Sequence, residues 1–217
     1  MIEIKHKETG EVLLVVDSDS LVDADLRRVK LRGADLHHRD LRRANLRFAD
    51  LTGASLHHAN LREARISYCQ LVEADLSHVD AIGAKLVGAS LHRSRLTQAD
   101  WSDARLDGAG LQTASLEGAN FQRAWLMGAR LRGARLYGAD LRDADMEGVR
   151  AKSAKLQSAR LGGAYLRGAY LRYALLYDAD LLTADLEDAD LLHARYDEHT
   201  CWPSGFDPVR AGAVMIR

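Results

Sequence analysis

The chain has 217 residues, with 30 basic and 31 acidic side chains and a formal net charge of −1. That length suits one domain with a continuous core, and the charge balance gives no global pull toward nucleic acid or anionic lipid. Two cysteines make no disulfide framework and no apolar run is long enough to span a bilayer, so neither a stapled secreted module nor a membrane protein is expected.

Residues 1–20 come first. Ile2-Glu3-Ile4-Lys5-His6 alternates apolar and polar, Glu8-Thr9-Gly10-Glu11 supplies a turn, and Val12 to Val16 is a β-branched run, which together predict a hairpin. The opening is charged rather than signal-like, and a cytoplasmic location is expected.

From Leu21 to Tyr196 every fifth residue is a centre, 36 in all, of which 29 are Leu. The exceptions are Ile66, Ala81, Trp101, Phe121, Met146, Ala151 and Tyr196. Two residues before the centre, Ala stands in 29 of the 36 cases. On an α-helix a step of five turns the side chain about 140° past a full revolution, which scatters the leucines around the cylinder. On a flat strand an odd step sends alternate leucines to opposite faces. A chain that bends once per pentad brings every centre to one axis, and such coils bury their leucines by stacking. The hairpin is then expected to cap the first coil, whose leucines and strand edges would otherwise be open.

The runs Ala34-Asp35-Leu36, Ala44-Asn45-Leu46, Ala49-Asp50-Leu51, Ala139-Asp140-Leu141 and Ala184-Asp185-Leu186 resemble the A(D/N)LXX unit of the pentapeptide-repeat proteins. The resemblance covers residues 21–196. It implies an all-β fold, a right-handed quadrilateral parallel β-helix (a solenoid) of about nine coils with terminal caps, about 43 Å long at strand spacing. The centre and the small residue would point inward and the other three positions outward.

Most departures from the unit conserve volume. Ala81 and Ala151, the centres reduced to Ala, follow Val79 and Val149, and Trp101 and Phe121 continue the Ala81 column. Arg39 takes a small-residue place, where an unpaired guanidinium is costly to bury, so a local bulge that turns its head to solvent, or a neighbouring partner aspartate, is expected. The tail, 197–217, leaves the repeat. Trp202 and Phe206, with Pro203 and Pro208, are expected to cover the C-terminal end, and the last residues are expected to fray. In some relatives that end forms a dimer contact, so a homodimer through it is a candidate assembly.

Positions twenty apart stack into columns, and any function would be carried there. The face centred on Leu31 and Leu51 carries a basic stripe, thickest at Arg130, Arg132, Arg150, Lys152 and Arg172, which is a candidate site for an acidic partner. The face centred on Leu41 and Leu61 carries an acidic ladder of Asp40, Asp80, Asp100, Asp140 and Asp180, with Arg42, Arg62, Arg142 and Arg160 interleaved. Phe48, Tyr68, Trp125 and Tyr165 form a candidate aromatic patch on a third face, of the kind that anchors protein contacts. His38, His58 and His78 occupy one outward column, as a stacked ladder or as ligands for a transition metal; the column holds no carboxylate or thiolate to complete a set.

No Gly-rich phosphate loop, GxSxG elbow, HExxH or CxxC pair is present, and a regular rod offers no cleft in which to desolvate a substrate. The expectation is a non-catalytic scaffold that binds an unidentified protein partner through flat charged and aromatic faces. No cofactor, no resident metal and no direct nucleic-acid binding are expected. The resemblance also implies an alternative, a DNA mimic that binds DNA gyrase or topoisomerase IV and protects it from poisons such as quinolones.

Overall fold

The computed structural model describes residues 1–216, and none of these is helical. Four short strands are present: β1 (Ile2–Lys5), β2 (Val12–Val16), β3 (Arg195–Tyr196) and β4 (Val214–Met215). Between β2 and β3 the chain repeats one bridge and one turn per pentad. Asp25 pairs in parallel with Asn45, Lys30 with Asp50, Asp35 with Ser55 and Asp40 with Asn60. The same step of twenty residues continues to Leu175 and Arg195. Each coil therefore lays its backbone on the one before along four ladders.

The turn explains the period. The centre's carbonyl accepts the N–H three residues on, as in Ala34 N–H to Leu31 O at 3.1 Å and Ala44 N–H to Leu41 O at 3.0 Å. The third turn residue is left-handed in nearly every pentad, with φ near +55 to +73° in the repeats, Thr183 being an exception. This is the type II signature, which glycine meets without steric cost. Twenty-two non-glycine residues hold the same conformation. Among them Thr113, at φ +56°, is the sole β-branched one.

Inward, centres and small residues form one apolar core from Ile4 to Ala213. Complete burial of a leucine stabilises by roughly 1.5–3 kcal/mol, but a lone coil shelters its leucines on neither side, so the core exists only in the stack. Val79, Ala81, Val149 and Ala151 are all buried, as are Trp101 and Phe121. The Trp101 indole N–H is buried without a partner, a cost of about 1–3 kcal/mol that its packing must offset.

Arg39 departs from expectation. No bulge forms, since Asp40 still pairs with Asn60 and Arg39 O still accepts from Asn60 N–H at 2.9 Å. Its side chain is exposed and has no ion pair among the described residues. It sits in the first coil, where the inside of the chain opens to solvent at the end of the rod, so it leaves without displacing the ladder.

β1 and β2 form the expected antiparallel hairpin, with an irregularity between Ile4 and Lys5. It joins one side of the first coil through Lys7 N–H to Gly33 O at 2.8 Å and Asp35 N–H to Lys5 O at 2.7 Å. Gly33 is needed there, because a Cβ would strike the His6 ring.

The tail is better ordered than expected. Asp180 pairs with Cys201, one residue beyond the regular step, and β4 pairs in parallel with β3. Ala213 is buried, and residues 214–216 are held by Val214 N–H to Ala194 O and Ile216 N–H to Tyr196 O at 2.7 and 2.8 Å. The ladder needs only backbone groups, so it runs on after the leucines stop. At this end Tyr196 meets Trp202 edge to face and Trp202 stacks on Phe206, with centroids 5.4 Å apart in each pair.

Candidate functional site

The outer residue just before each centre is Asp or Asn in fifteen pentads. In fourteen of them, its side-chain oxygen accepts the N–H of the residue just after the centre, at 3.0–3.4 Å. This is the Asx pattern that closes a turn from its own side chain. The spacing of the Asp/Asn column was legible in the sequence, but its role as turn cap went unread there.

The caps change the acidic ladder. Asp40 Oδ1 caps Arg42 N–H, and the Arg42 guanidinium closes on both carboxylate oxygens, at 2.6 Å for the nearest contact. The hydrogen bond from Arg42 holds Asp40 below the usual carboxylate range. Asp80 takes Arg62 at 3.2 Å. Asp140 takes Arg142 at 2.6 Å and Arg160 at 3.2 Å. Asp100 binds the Asn120 amide at 3.0 Å and Asp180 caps Leu182 at 3.1 Å, and neither meets a cation within ion-pair distance among the described residues. Three of the five carboxylates are thus neutralised within the face.

The basic stripe behaves differently. Arg172 pairs with Asp190 at 2.5 Å, but Arg130, Arg132, Arg150 and Lys152 meet no acid within 4.0 Å among the described residues. They line one surface groove with His92, Gln112, Thr113, Gly133 and Ser153, and it contains no carboxylate. Four other surface depressions are each lined by at least one acid, at Asp25, at Glu63, at Glu198 and at Glu147. Arg130 and Arg150 are bridge partners on adjacent coils.

The aromatic patch divides. Phe48 and Tyr68 stack at 5.3 Å, nearly parallel, with Arg28 over the Phe48 ring. Tyr68 in turn covers Gly88, where an added Cβ would meet the ring at 2.7 Å. Trp125 lies under Arg105 at 4.9 Å, and Asp145 separates it from Tyr165 in the same column. Each of the four rings is about half exposed.

His38, His58 and His78 stack in parallel with centroids 4.9 and 4.7 Å apart, and His37 stacks on His57 at 5.1 Å. Two nitrogens sharing one zinc at about 2.1 Å each are at most about 4.2 Å apart. Equivalent nitrogens of parallel rings are as far apart as the ring centres, so neighbouring rings cannot share an ion without turning. Burial, then His78 and His38, lower the pKa of His58. Both cysteines are free; burial, reinforced by Asp50, pushes the Cys69 thiol up to about 12.

A family model described as pentapeptide repeats matches the chain in eight copies, over residues 20–57, 40–77, 74–112, 84–123, 114–150 and 164–195. No curated protein matches. Among solved structures, the chain is similar to HetL, a pentapeptide repeat protein involved in heterocyst differentiation regulation from the cyanobacterium Nostoc sp. strain PCC 7120. That likeness is 32% identity over 76% of this chain and 84% of HetL, with a TM-score of 0.46. It is also similar to full-length QnrB1, a plasmid-mediated fluoroquinolone resistance protein, at 21% identity over 76% of this chain and 85% of that one, with a TM-score of 0.38. Rfr23 from the cyanobacterium Cyanothece 51142 is 28% identical over 57% of this chain and 63% of its own, with a TM-score of 0.18. Period, turn and family match agree, and the chain belongs to the pentapeptide-repeat family.

Proposed function

We propose that the chain is a non-catalytic scaffold that binds a protein partner through the flat outer faces of its β-helix. The observation that carries this is the set of half-exposed rings, Phe48, Tyr68, Trp125 and Tyr165, fixed on a rigid wall. Large rings held in place lose little conformational entropy on docking and anchor interfaces. The four ladders with a step of twenty support the right-handed quadrilateral form of about nine coils, with the hairpin and the tail as caps. The free cysteines fit a cytoplasmic location, and no helix among the described residues is long and apolar enough to cross a membrane.

Against catalysis stands the one nucleophile–base pair on the histidine face. Ser55 Oγ lies 2.8 Å from His57 Nδ1, but His57 stacks on His37 and has no carboxylate within ion-pair distance among the described residues. An imidazole without a carboxylate to stabilise its charged form, on an open wall, is a poor base. The test is capture from lysate on immobilised protein, with a Phe48→Ser/Tyr68→Ser pair and a Trp125→Ser/Tyr165→Ser pair alongside. A protein retained by the wild type and lost from one pair is expected; identical captured sets from all three would remove the scaffold reading.

The DNA-mimic alternative has less support, because arginines neutralise Asp40, Asp80 and Asp140, where a phosphate-like ladder needs uncompensated charge. Gyrase supercoiling with and without a fluoroquinolone separates the two: protection by stoichiometric protein would favour mimicry. A homodimer through the C-terminal end, where Val209 and Met215 are exposed, is tested by sedimentation of the wild type against Met215→Glu.

A further inference from the structure

We propose that the groove of Arg130, Arg132, Arg150 and Lys152 binds a phosphate monoester carried on a segment of a protein partner. This rests on the scaffold reading and names the chemistry that one face would recognise. Three observations converge on it.

First, the four cations occupy two adjacent coils, about 5 Å apart at strand spacing, and no carboxylate lines the groove. Like charges held this close repel, and elsewhere on the rod several arginines reach an acid one coil away, as in Arg43 with Asp23 and Arg123 with Asp103. A site that keeps its cations unmatched is suited to an anion from outside.

Second, the turns beside the groove lack the side-chain cap that Asp50 and Asp190 supply at either end of the same face. In fourteen pentads an Asp or Asn oxygen sits on the N–H just after the centre, as Asp50 does for Thr52 at 3.1 Å. In the column before the centre, Gly110, Arg130, Arg150 and Tyr170 replace it, and among the described residues the N–H groups of Gln112, Arg132 and Lys152 receive no such acceptor. An oxyanion in the groove takes the place that the chain's own carboxylate fills elsewhere, and four cations line the same groove.

Third, Thr113 lines the groove in the left-handed conformation that β-branched residues avoid, and no other β-branched residue among the described residues adopts it. Backbone strain of this kind concentrates at functional sites. With Ser153 it places a second hydroxyl at the groove wall.

The extent of the charge selects the ligand. Toward the N-terminus the same columns read Gly110 and Gln112, and toward the C-terminus Tyr170 and Arg172, which Asp190 neutralises. Positive charge confined to two rungs matches one compact dianion. A nucleic-acid strand would need the cations to continue along its backbone, and a lone carboxylate brings half the charge.

The experiment titrates the full-length chain with a neutral fluorescent pentapeptide bearing one phosphoserine. Its controls are the unphosphorylated and glutamate versions, inorganic phosphate and a ten-residue oligothymidylate. The phosphopeptide is expected to bind at least tenfold more tightly than any control. Arg130→Ala and Arg150→Ala are each expected to weaken it about tenfold, while Arg95→Ala, on another face, leaves it unchanged. In the ¹⁵N spectrum of the wild type, the amides of Arg132 and Lys152 should shift on saturation, a readout that needs no variant. Equal affinity for the glutamate peptide, oligothymidylate or free phosphate would overturn the assignment, as would amide shifts confined to other faces. Failure here leaves the lysate result with the aromatic pairs standing; failure there removes the scaffold and with it the biological setting of this site.

Discussion

Asp140 tests whether the Asp/Asn column works as turn caps. Its Oδ1 accepts Arg142 N–H at 3.3 Å and Arg142 Nε–H at 2.8 Å. Its Oδ2 accepts from Arg142, Gln122 and Arg160 at 2.6, 2.8 and 3.2 Å. The side chain is 15% exposed, so these bonds are not freely exchanged with water. Loss of a side-chain cap costs about 1 kcal/mol, and loss of the remaining bonds to a largely buried carboxylate adds about as much, so Asp140→Ala is expected to cost about 2 kcal/mol. Asp140→Asn keeps the Oδ1 acceptor and should cost about half of that. At about 2–4 °C per kcal/mol for a chain of this length, the alanine variant melts roughly 4–8 °C lower. Burial pushes the Asp140 pKa up, but the hydrogen bonds and charge of Arg142 outweigh it and the folded value lies below normal. The stabilisation is therefore complete above the unfolded value of about 3.9 and fades as pH falls through the folded one. Thermal melts of the three proteins at pH 7 and pH 3 are the assay. If Asn melts as low as Ala, or if the gap between wild type and Ala is as wide at pH 3, the turn-cap account fails.

Thr113→Gly should raise stability by about 0.5–1 kcal/mol, the relief of a β-branched left-handed residue less the added freedom of glycine in the unfolded chain; urea midpoints check this. A thiol reagent at pH 8 is expected to modify one cysteine of the native protein, Cys201, and two after denaturation, because Cys69 is buried and donates to Ala49 O at 3.1 Å; two fast-reacting thiols in the native state would contradict that burial. His58 has a lowered folded pKa, so the unfolded chain binds more protons and stability falls as pH drops below about 6.5. His58→Gln should flatten the melting temperature between pH 7 and pH 5, and an unchanged slope would show that the stacked rings tolerate charge.

The core was legible because it is a side-chain pattern: Leu at each fifth residue and Ala two before it leave one arrangement that shelters both. Two expectations failed where side chains do not decide. Residues 211–216 lack the pattern yet extend the ladder, because parallel pairing uses backbone groups alone. Arg39 needs no bulge, because whether its coil has a neighbour on the open side is a fact of the end of the rod and not of its pentad. At the surface, columns and their charges could be read off positions twenty apart, but the reach of each arginine could not. Arg42 turns back to Asp40 two residues away, whereas Arg43, its neighbour, crosses a coil to Asp23. Which carboxylates remain uncompensated depends on those choices. Thr113 did carry a signal, a β-branched residue in a column rich in glycine, whose meaning required the sign of φ.

One column links the repeat's structural rule to its surface chemistry. An Asp or Asn before the centre closes the turn and, through its second oxygen, draws an arginine from the same or a neighbouring coil, so a well-capped face tends to cancel its own charge. Where that residue is given up, a face loses the carboxylate that would neutralise its arginines. In one column it is given up from Gly110 through Arg130 and Arg150 to Tyr170, beside the groove that Arg130, Arg132, Arg150 and Lys152 line without acids. Replacing Arg130 by Asp should therefore do two opposite things at once: restore the cap on Arg132 N–H, holding or raising the melting temperature, and abolish anion binding. A purely structural role for the stripe, with its cations serving packing through their stems, would instead lower the melting temperature.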